Sequence, residues 1–303
     1  MSQNILLVGT GALATLFAAR LSEAGHFVSM LGTWKHGLHA LQQNGARILD
    51  ANGNERAYKV HATDDPREVE GAKVAIVLVK SWQTERAAYQ LKQSLSSDGL
   101  AVTLQNGLGN RETLIHNLGP ARVALGITTT GATLLGPGLV KAGGDGVISI
   151  ERHQALGPLE TVLRSSNFNL QIVDDAESLI WGKLVINAAI NPLTALLRVP
   201  NGELLSHPKA RKMMGALARE AAEVAEAEHV HLPFNNPVSA VEDVARQTAM
   251  NHSSMFQDVS RGAPTEIDAI CGAVMKRGEK HGIRTPYNKA CWTMVHATAG
   301  MAG

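Results

Sequence analysis

The chain has 303 residues, and its 28 Lys and Arg against 27 Asp and Glu give a formal net charge of +1. That length allows two domains, each large enough to bury its own core. The balanced charge offers nothing that would attract nucleic acid or an anionic membrane, so neither is expected as a partner. Its two cysteines, Cys271 and Cys291, lack Cys-x-x-Cys spacing, which favours reduced core residues in a cytoplasmic protein.

The first predicted element is a strand that leads straight into a glycine-rich turn and a helix. The apolar run 5–8 precedes Gly9, Thr10, Gly11, Ala12, Leu13 and Ala14. The first glycine permits a tight turn, the second admits a pyrophosphate at the helix N-terminus, and Ala14 is small enough for the helix to pack on the strand. These residues are the predicted dinucleotide-binding turn. The alternative is a glycine turn in an α/β domain that binds no nucleotide.

Further apolar runs predict the other strands of a parallel sheet, at residues 26–31, 74–79, 100–104 and 123–127. A helix ending near Asn44-Gly45 follows the second strand, which gives the rhythm of a βαβ fold. The predicted fold is therefore a doubly wound, mostly parallel, Rossmann-like α/β domain. The glycine-rich segment 131–150 alternates like an antiparallel strand pair, and we expect it at the far edge of that sheet.

The second half of the chain shows helical periodicity, in residues 176–197, 208–228, 238–250, 265–281 and 287–297. This change of pattern predicts an α/β domain over residues 1–168 and an all-helical domain over 169–303. The apolar stretch 184–197 is interrupted by Asn187, Asn191 and Pro192 and is too short to cross a bilayer, so no transmembrane helix is expected.

The segment after the second strand, where such folds select their cofactor, contains no carboxylate. It includes Thr33 and Lys35. An acidic residue there binds the ribose 2′-hydroxyl of NAD, whereas a basic or polar residue accommodates the 2′-phosphate of NADP. We therefore expect NADP(H), although Lys35 could also be a solvated lysine at a helix start. Lys80 and Asn106 follow two later strands, at the sheet edge where ligands bind, but Asn106-Gly107 could also be a simple turn.

The segment 181–192 places Lys183, Asn187 and Asn191 four residues apart, on one face of an apolar helix. Such a lysine with two amides below it is expected to line a buried cleft, although a lone helical lysine is usually solvated. A later polar region contains Ser254 and Glu266, where Thr265 or its neighbour could simply cap a helix. The histidines show no paired metal-ligand spacing, so no metal is expected.

Taken together and in order, these motifs resemble the ketopantoate reductase (2-dehydropantoate 2-reductase) family over nearly the full chain. The matching segments are the glycine turn, Val79-Lys80, Leu104-Gln105-Asn106-Gly107, Gly136-Pro137-Gly138, Lys183 to Asn187 with Asn191-Pro192, Ser253-Ser254-Met255 and Thr265-Glu266-Ile267-Asp268. The resemblance implies NADPH-dependent reduction of a small 2-oxo acid, which makes pantoate for pantothenate and coenzyme A. It also implies a helical domain like that of 6-phosphogluconate dehydrogenase, with the active site between the two domains.

The resemblance also assigns roles to the candidate residues. Lys183 is similar to the family's general acid, and Glu266 is similar to the acid that orients substrate or pairs with that lysine. Asn106, Asn187, Asn191 and Ser254 resemble the substrate-holding groups, and Lys80 resembles the lysine beside the cofactor. Many members have an arginine after the second strand, where this chain has Thr33-Trp34-Lys35.

Three functions remain open at this point: ketopantoate reduction, reduction of another small 2-oxo acid, and dinucleotide sensing without chemistry. A sensor would need the glycine turn but no proton donor, so Lys183 and Glu266 favour an enzyme. The long helices could bury either a homodimer face or their own core.

Overall fold

A computed structural model describes residues 4–50 and 52–300, with side chains through residue 298. The chain forms two compact units. The first contains the chain through Gln105 together with Asn110–Ala176, and the second contains Asn106–Gly109 together with the chain from Glu177 onward. The loop Asn106–Gly109, which lies between two segments of the first unit in sequence, therefore belongs to the second unit.

The strands, in chain order, are β1 (Asn4–Val8), β2 (Phe27–Leu31), β3 (Ala46–Leu49), β4 (Glu55–Tyr58), β5 (His61–Thr63), β6 (Ala72–Val77), β7 (Leu95–Thr103), β8 (Val123–Thr128), β9 (Ala132–Gly136), β10 (Leu139–Ala142), β11 (Val147–Glu151) and β12 (Asn169–Val173). The helices are α1 (Ala12–Glu23), α2 (Lys35–Asn44), α3 (Thr84–Ser94), α4 (Asn110–Leu118), α5 (Gly157–Ser165), α6 (Ala176–Leu197), α7 (Glu203–Ser206), α8 (Pro208–Ala227), α9 (Pro237–Gln247), α10 (Ser254–Ser260), α11 (Ala273–Lys280) and α12 (Pro286–Gly300).

Within the described residues, the main sheet has eight strands in the order β12-β11-β8-β7-β6-β1-β2-β5. Its neighbours are parallel except for β8 and β11, which are antiparallel. The central strands β1 and β6 are almost entirely buried, because helices cover both faces of a doubly wound sheet. The predicted Rossmann-like α/β unit and helical unit are confirmed. The carboxyl ends of β1, β2, β6 and β7 consequently share one edge, and the glycine turn, Thr33, Lys35 and Lys80 follow strands at that edge.

The glycine-rich segment forms the expected hairpin, but its predicted position at the sheet edge is wrong. Strands β9 and β10 pair antiparallel, and β10 also pairs parallel with β3, which builds a separate four-stranded sheet in the order β4-β3-β10-β9. The hairpin therefore lies outside the main sheet because β10 pairs with β3, and the sequence pattern did not predict that pairing. The following strand, β11, lies in the main sheet again, where it pairs with β8.

The predicted domain boundary at residue 168 falls too early for the main sheet. Strand β12 pairs parallel with β11, with Val147 opposite Asn169, so the sheet extends into the segment expected to be all-helical. The strand is short and only partly buried, with Leu170 its most buried residue, which explains its weak sequence signal. The first compact unit ends after it, at Ala176.

Helix α6 spans the predicted residues, Ala176–Leu197, and most of it is buried. By length and composition it could cross a membrane, but 72% of its most apolar window is buried inside the protein. Pro192 lies inside this helix and lacks the N–H that would bond the carbonyl of Ala188. The thiol of Cys271 donates a long hydrogen bond to that carbonyl instead, with Sγ 3.9 Å from the oxygen. The proline is thereby accommodated within a buried helix.

A buried carboxylate fixes the start of α12. Glu220 on α8 is 7% exposed and accepts hydrogen bonds from the backbone N–H groups of Tyr287 and Asn288, each at 2.9 Å, and from Nδ2 of Asn288 at 2.8 Å. The first N–H groups of a helix have no partner within the helix, and this carboxylate accepts hydrogen bonds from two of them. Its negative charge also interacts favourably with the positive end of the helix dipole.

We expect Glu220→Ala to lower the free energy of unfolding by about 1–3 kcal/mol, because it leaves buried donors unsatisfied. The urea midpoint of the variant measures this loss. Glu223→Ala, at an exposed position of the same helix, is the matched control. Equal midpoints for the two variants would contradict the capping role of Glu220.

Candidate active site

The turn between β1 and α1 has a backbone that requires glycine at its first position. Gly9 has φ +139°, and a Cβ there would lie 3.1 Å from the carbonyl carbon of Leu78. Its N–H donates to the carbonyl of Leu31 at the end of β2, over 2.8 Å. The turn is thus held tightly between the ends of neighbouring strands, as the sequence pattern predicts.

The N-terminus of α1 is open toward solvent. Gly11 is its exposed N-cap residue, no side chain caps the helix, and its first turn contains no acid. A Cβ on Gly11 would meet nothing within 4 Å. The helix N-terminus therefore presents backbone N–H groups and a positive dipole to an uncrowded space, which is the arrangement that binds phosphate groups. Thr10 and Ala14 are buried, whereas Ala12 and Leu13 are half-buried.

The segment after β2 exposes Thr33 and Lys35 at the start of α2. Between them, the ring of Trp34 lies against Gly37, where a Cβ would approach ring atom Cε3 to within 2.2 Å. Gly37 therefore provides the space in which the indole ring packs, and this packing was not predicted from the sequence. The described residues from Gly32 to His36 include no carboxylate, so nothing there repels an anion.

Lys80 is half-buried just after β6, and Gln105 ties this segment to the end of β7. Nε2 of Gln105 donates to the carbonyl of Val79 at 2.9 Å and to Oγ1 of Thr84 at 2.8 Å, while its Oε1 accepts from Oγ1 of Thr103 at 3.0 Å. Gln105 is therefore a structural residue that joins the segments after β6 and β7 at the carboxyl edge of the sheet.

The loop Asn106–Gly109 is joined to the segment that carries Glu266. Nδ2 of Asn106 donates to Oε2 of Glu266 at 3.1 Å, and the N–H of Leu108 donates to the carbonyl of Ala269 at 3.0 Å. Gly107 has φ +80°, and a Cβ there would lie 2.3 Å from that same carbonyl oxygen. Gly107 is required by close backbone approach, so Asn106-Gly107 is more than a solvent-exposed turn.

Lys183 projects from α6 and is electrostatically coupled to Glu266. Burial lowers the pKa of Lys183 from 10.5 to about 8, and the negative charge of Glu266 opposes that decrease. Glu266 itself is 5% exposed. The ammonium is therefore a stronger acid than that of a solvated lysine, yet it remains mostly protonated at neutral pH. A lysine in this state can both donate a proton and attract negative charge.

The remaining predicted substrate residues have different surroundings. Asn187 is half-buried and Asn191 is 7% exposed, and both lie on α6 below Lys183. Ser254 is exposed at the first position of α10. Its neighbour Ser253 is buried and caps that helix, accepting from the N–H of Phe256 at 3.1 Å and sharing a 2.7 Å hydrogen bond with Thr194. The Ser253 cap explains one serine of the motif in purely structural terms.

The helix predicted over residues 265–281 begins later than expected. A π-helical turn, Asp268–Gly272, comes first and leads into α11. Thr265 precedes the helix and accepts a 3.4 Å hydrogen bond from the N–H of Ile267. Glu266 therefore lies just before a widened turn, and its carboxylate is joined to Asn106 and coupled to Lys183.

The described part of the chain contains no group of three or more His, Cys, Asp or Glu side chains that could hold a metal ion. The structure brings Lys183, Glu266 and Asn106 together in the second unit, and it places the glycine turn, Thr33, Lys35 and Lys80 in the first. The first group has the components of a proton-donating site, and the second has those of a dinucleotide site.

Comparison with known proteins identifies similar chains. The family model described as ketopantoate reductase PanE/ApbA matches residues 5–155, and its C-terminal model matches residues 175–299. The 2-dehydropantoate 2-reductase of Archaeoglobus fulgidus is 36% identical over 298 residues, which is 97% of each chain.

Two solved structures resemble the whole chain. The PanE/ApbA family ketopantoate reductase of Ralstonia eutropha JMP134 has a TM-score of 0.91 and 30% identity, covering 98% of this chain and 99% of that one. The ternary structure of D-mandelate dehydrogenase with NADH and anilino(oxo)acetate has a TM-score of 0.92 and 27% identity, with the same coverage of 98% and 99%.

Replacing Glu266 by Gln should lower the pKa of Lys183 below about 8, because the variant removes the charge that favours the ammonium. NMR titration of lysine-labelled protein measures this pKa without any ligand, with the Lys183 signal assigned from Lys183→Arg. Glu279→Gln, at an exposed position on α11, should leave it unchanged. An unchanged pKa in Glu266→Gln would contradict the coupling.

Proposed function

The chain belongs to the ketopantoate reductase family, and from that premise we propose that it reduces 2-dehydropantoate to pantoate in the cytoplasm. A nicotinamide dinucleotide, when bound, supplies the hydride that reduces the 2-oxo carbon. The carbonyl oxygen then needs one proton to become the hydroxyl of pantoate, so the chain must supply an acid. The product serves pantothenate and coenzyme A synthesis.

The observation that carries this proposal is the environment of Lys183. Its pKa of about 8 makes proton transfer to a developing alkoxide more favourable than from a solvated lysine, while the ammonium stays charged at neutral pH. Before that transfer, the same charge polarises the carbonyl. The charge of Glu266 raises the pKa of the lysine and so favours its protonated form, and Asn106 donates a hydrogen bond that holds the Glu266 carboxylate in place. These three residues support chemistry rather than sensing.

We assign substrate binding to the polar face of the same unit. Asn187 and Asn191 follow Lys183 along α6, and their amides can donate hydrogen bonds to the substrate carboxylate and hydroxyl. Asn106 and Ser254 complete the proposed set. Small polar groups on an otherwise apolar helix suit a short oxo acid, because they orient it without adding a competing charge.

The proposed cofactor is NADP(H). The open N-terminus of α1 beside Gly9 and Gly11 fits a pyrophosphate, and the exposed Thr33 and Lys35 fit a 2′-phosphate. Lys80, which follows β6 at the same sheet edge, and Asn106 are assigned to the nicotinamide end. The absence of a carboxylate among residues 32–36, all of which are described, supports NADP over NAD.

A second candidate is reduction of a different 2-oxo acid by the same residues. The structural similarity to D-mandelate dehydrogenase, at a TM-score of 0.92, supports this second candidate, because that structure holds anilino(oxo)acetate, in which an oxo group lies next to a carboxylate. A panel of 2-oxo acids assayed beside 2-dehydropantoate separates the candidates. A higher kcat/KM for another acid would replace the proposed substrate and leave the roles of Lys183 and Glu266 intact.

Lys183→Ala should reduce kcat by roughly 10² or more, the scale expected for loss of a general acid, while NADPH affinity stays nearly unchanged. Lys183→Arg should be similarly slow, because arginine keeps the charge but does not release a proton. Stopped-flow turnover and NADPH fluorescence titration measure the two effects. Lys209→Ala, at an exposed position on α8, is the control, and wild-type turnover in Lys183→Ala would refute the assignment.

Lys35→Ala should weaken NADPH binding by about 10-fold and leave NADH binding nearly unchanged, because only NADPH carries the phosphate that the ammonium would contact. Parallel fluorescence titrations with the two cofactors measure the difference. Lys59→Ala, exposed on the first unit, controls for a general loss of positive charge. An equal loss for both cofactors, or no loss for either, would contradict the proposed role of Lys35.

A further inference from the structure

The π-helical turn Asp268–Gly272 begins directly at the backbone of Glu266. The carbonyl of Glu266 accepts from the N–H groups of Ala269 and Ile270, each at 3.1 Å, and the wide turn closes where Gly272 donates to Ile267 at 3.0 Å. A π turn inserts an extra residue and changes the direction in which the preceding residues face, and such turns are frequent at functional sites. The direction of Glu266 therefore depends on whether this turn persists.

Helix α12 holds the outer side of the π turn at both of its ends. Oδ1 of Asp268 accepts from Nε1 of Trp292 at 2.7 Å and pairs with Nε2 of His296 at 2.9 Å. The ring of Trp292 also covers Gly272, since a Cβ on that glycine would lie 3.2 Å from Nε1. We refer to Asp268, Trp292 and His296 as the α12 clamp. Its charged and titratable members are Asp268 and His296.

The inner side of the turn carries the contacts that the site uses. Ala269 accepts from Leu108 in the loop that contains Asn106, and Cys271 donates to Ala188 on the helix that contains Lys183. The α12 clamp and these inner contacts therefore hold opposite sides of one short segment. Loss of the α12 clamp removes the restraint that keeps the inner side of the turn aligned with the Asn106 loop and with α6.

We propose that Asp268 is a positioning residue, which acts through the α12 clamp and the π turn to hold Glu266 against Asn106 and beside Lys183. This inference rests on the proposed function for its kinetic consequence. Its structural consequence, the state of the Lys183 ammonium, is independent of any substrate. Asp268 has no assigned contact with substrate or cofactor, so it is not itself a catalytic residue.

The test is a double-mutant comparison of Asp268→Ala in the wild-type and Glu266→Gln backgrounds. In the wild-type background, Asp268→Ala should lower the NMR titration midpoint of Lys183 below about 8 and reduce kcat by about 10- to 10²-fold, the scale of a roughly 1 Å misplacement. In the Glu266→Gln background it should change neither value further, because Asp268 acts only through Glu266.

Trp292→Phe provides a milder variant that keeps an aromatic ring over Gly272 while removing one donor to Asp268. This variant should lower both the Lys183 titration midpoint and kcat, by smaller amounts than Asp268→Ala. Asp243→Asn, in an exposed ion pair with Arg246 on α9, should leave both values unchanged. This control separates the loss of an acidic charge in general from the loss of the α12 clamp.

An unchanged Lys183 midpoint in Asp268→Ala would overturn the inference. An equal shift in the two backgrounds would also overturn it, since Asp268 would then act without Glu266. If the wild-type protein reduces no 2-oxo acid, the proposed function fails, and the titration midpoints still decide the role of Asp268. A shift of the Lys183 midpoint that occurs in the wild-type background and not in the Glu266→Gln background supports the positioning role of Asp268.

Discussion

The negative charge of Glu266 beside the ammonium of Lys183 is the interaction on which the candidate site depends. Burial lowers the pKa of the lysine, and the charge of the carboxylate opposes that decrease, leaving a pKa of about 8. A lysine that is too strongly desolvated would be a neutral amine with no acidic proton to donate. A fully solvated lysine would be charged, but its ammonium would be a weaker acid. The balance between burial and one opposing charge therefore sets the acid strength of Lys183, the proposed proton donor in carbonyl reduction.

The rest of the second unit can be understood as support for that pair. Helix α6 carries Lys183 through an apolar core, and the cost of Pro192 within it is offset by the thiol of Cys271. The same thiol belongs to the π turn that follows Glu266, so its hydrogen bond to the Ala188 carbonyl joins the segment of Glu266 to the helix of Lys183. Asn106 reaches the carboxylate from a loop 160 residues away in sequence, and Gly107 lets that loop approach closely.

Much of this fold follows from local sequence patterns, whereas the contacts within the site do not. Apolar runs and the glycine turn predict the parallel sheet, and the spacing of Lys183, Asn187 and Asn191 predicts one polar helix face. Periodicity cannot show that β10 pairs with β3, that β12 extends the sheet, or that Asp268 begins a π turn, because distant partners decide each of these. The roles of Glu266 and Asn106 came from resemblance, and their 3.1 Å contact required the structure.

The most direct measurement of the central claim is the pH dependence of 2-dehydropantoate reduction by NADPH, followed by absorbance from about pH 6 to about pH 10. If protonated Lys183 is the acid, kcat/KM should be flat at low pH and fall tenfold per pH unit above about 8, while pantoate oxidation should rise through the same pH. A reduction rate that stays constant across that range would contradict the account, because it would remove Lys183 as the proton donor.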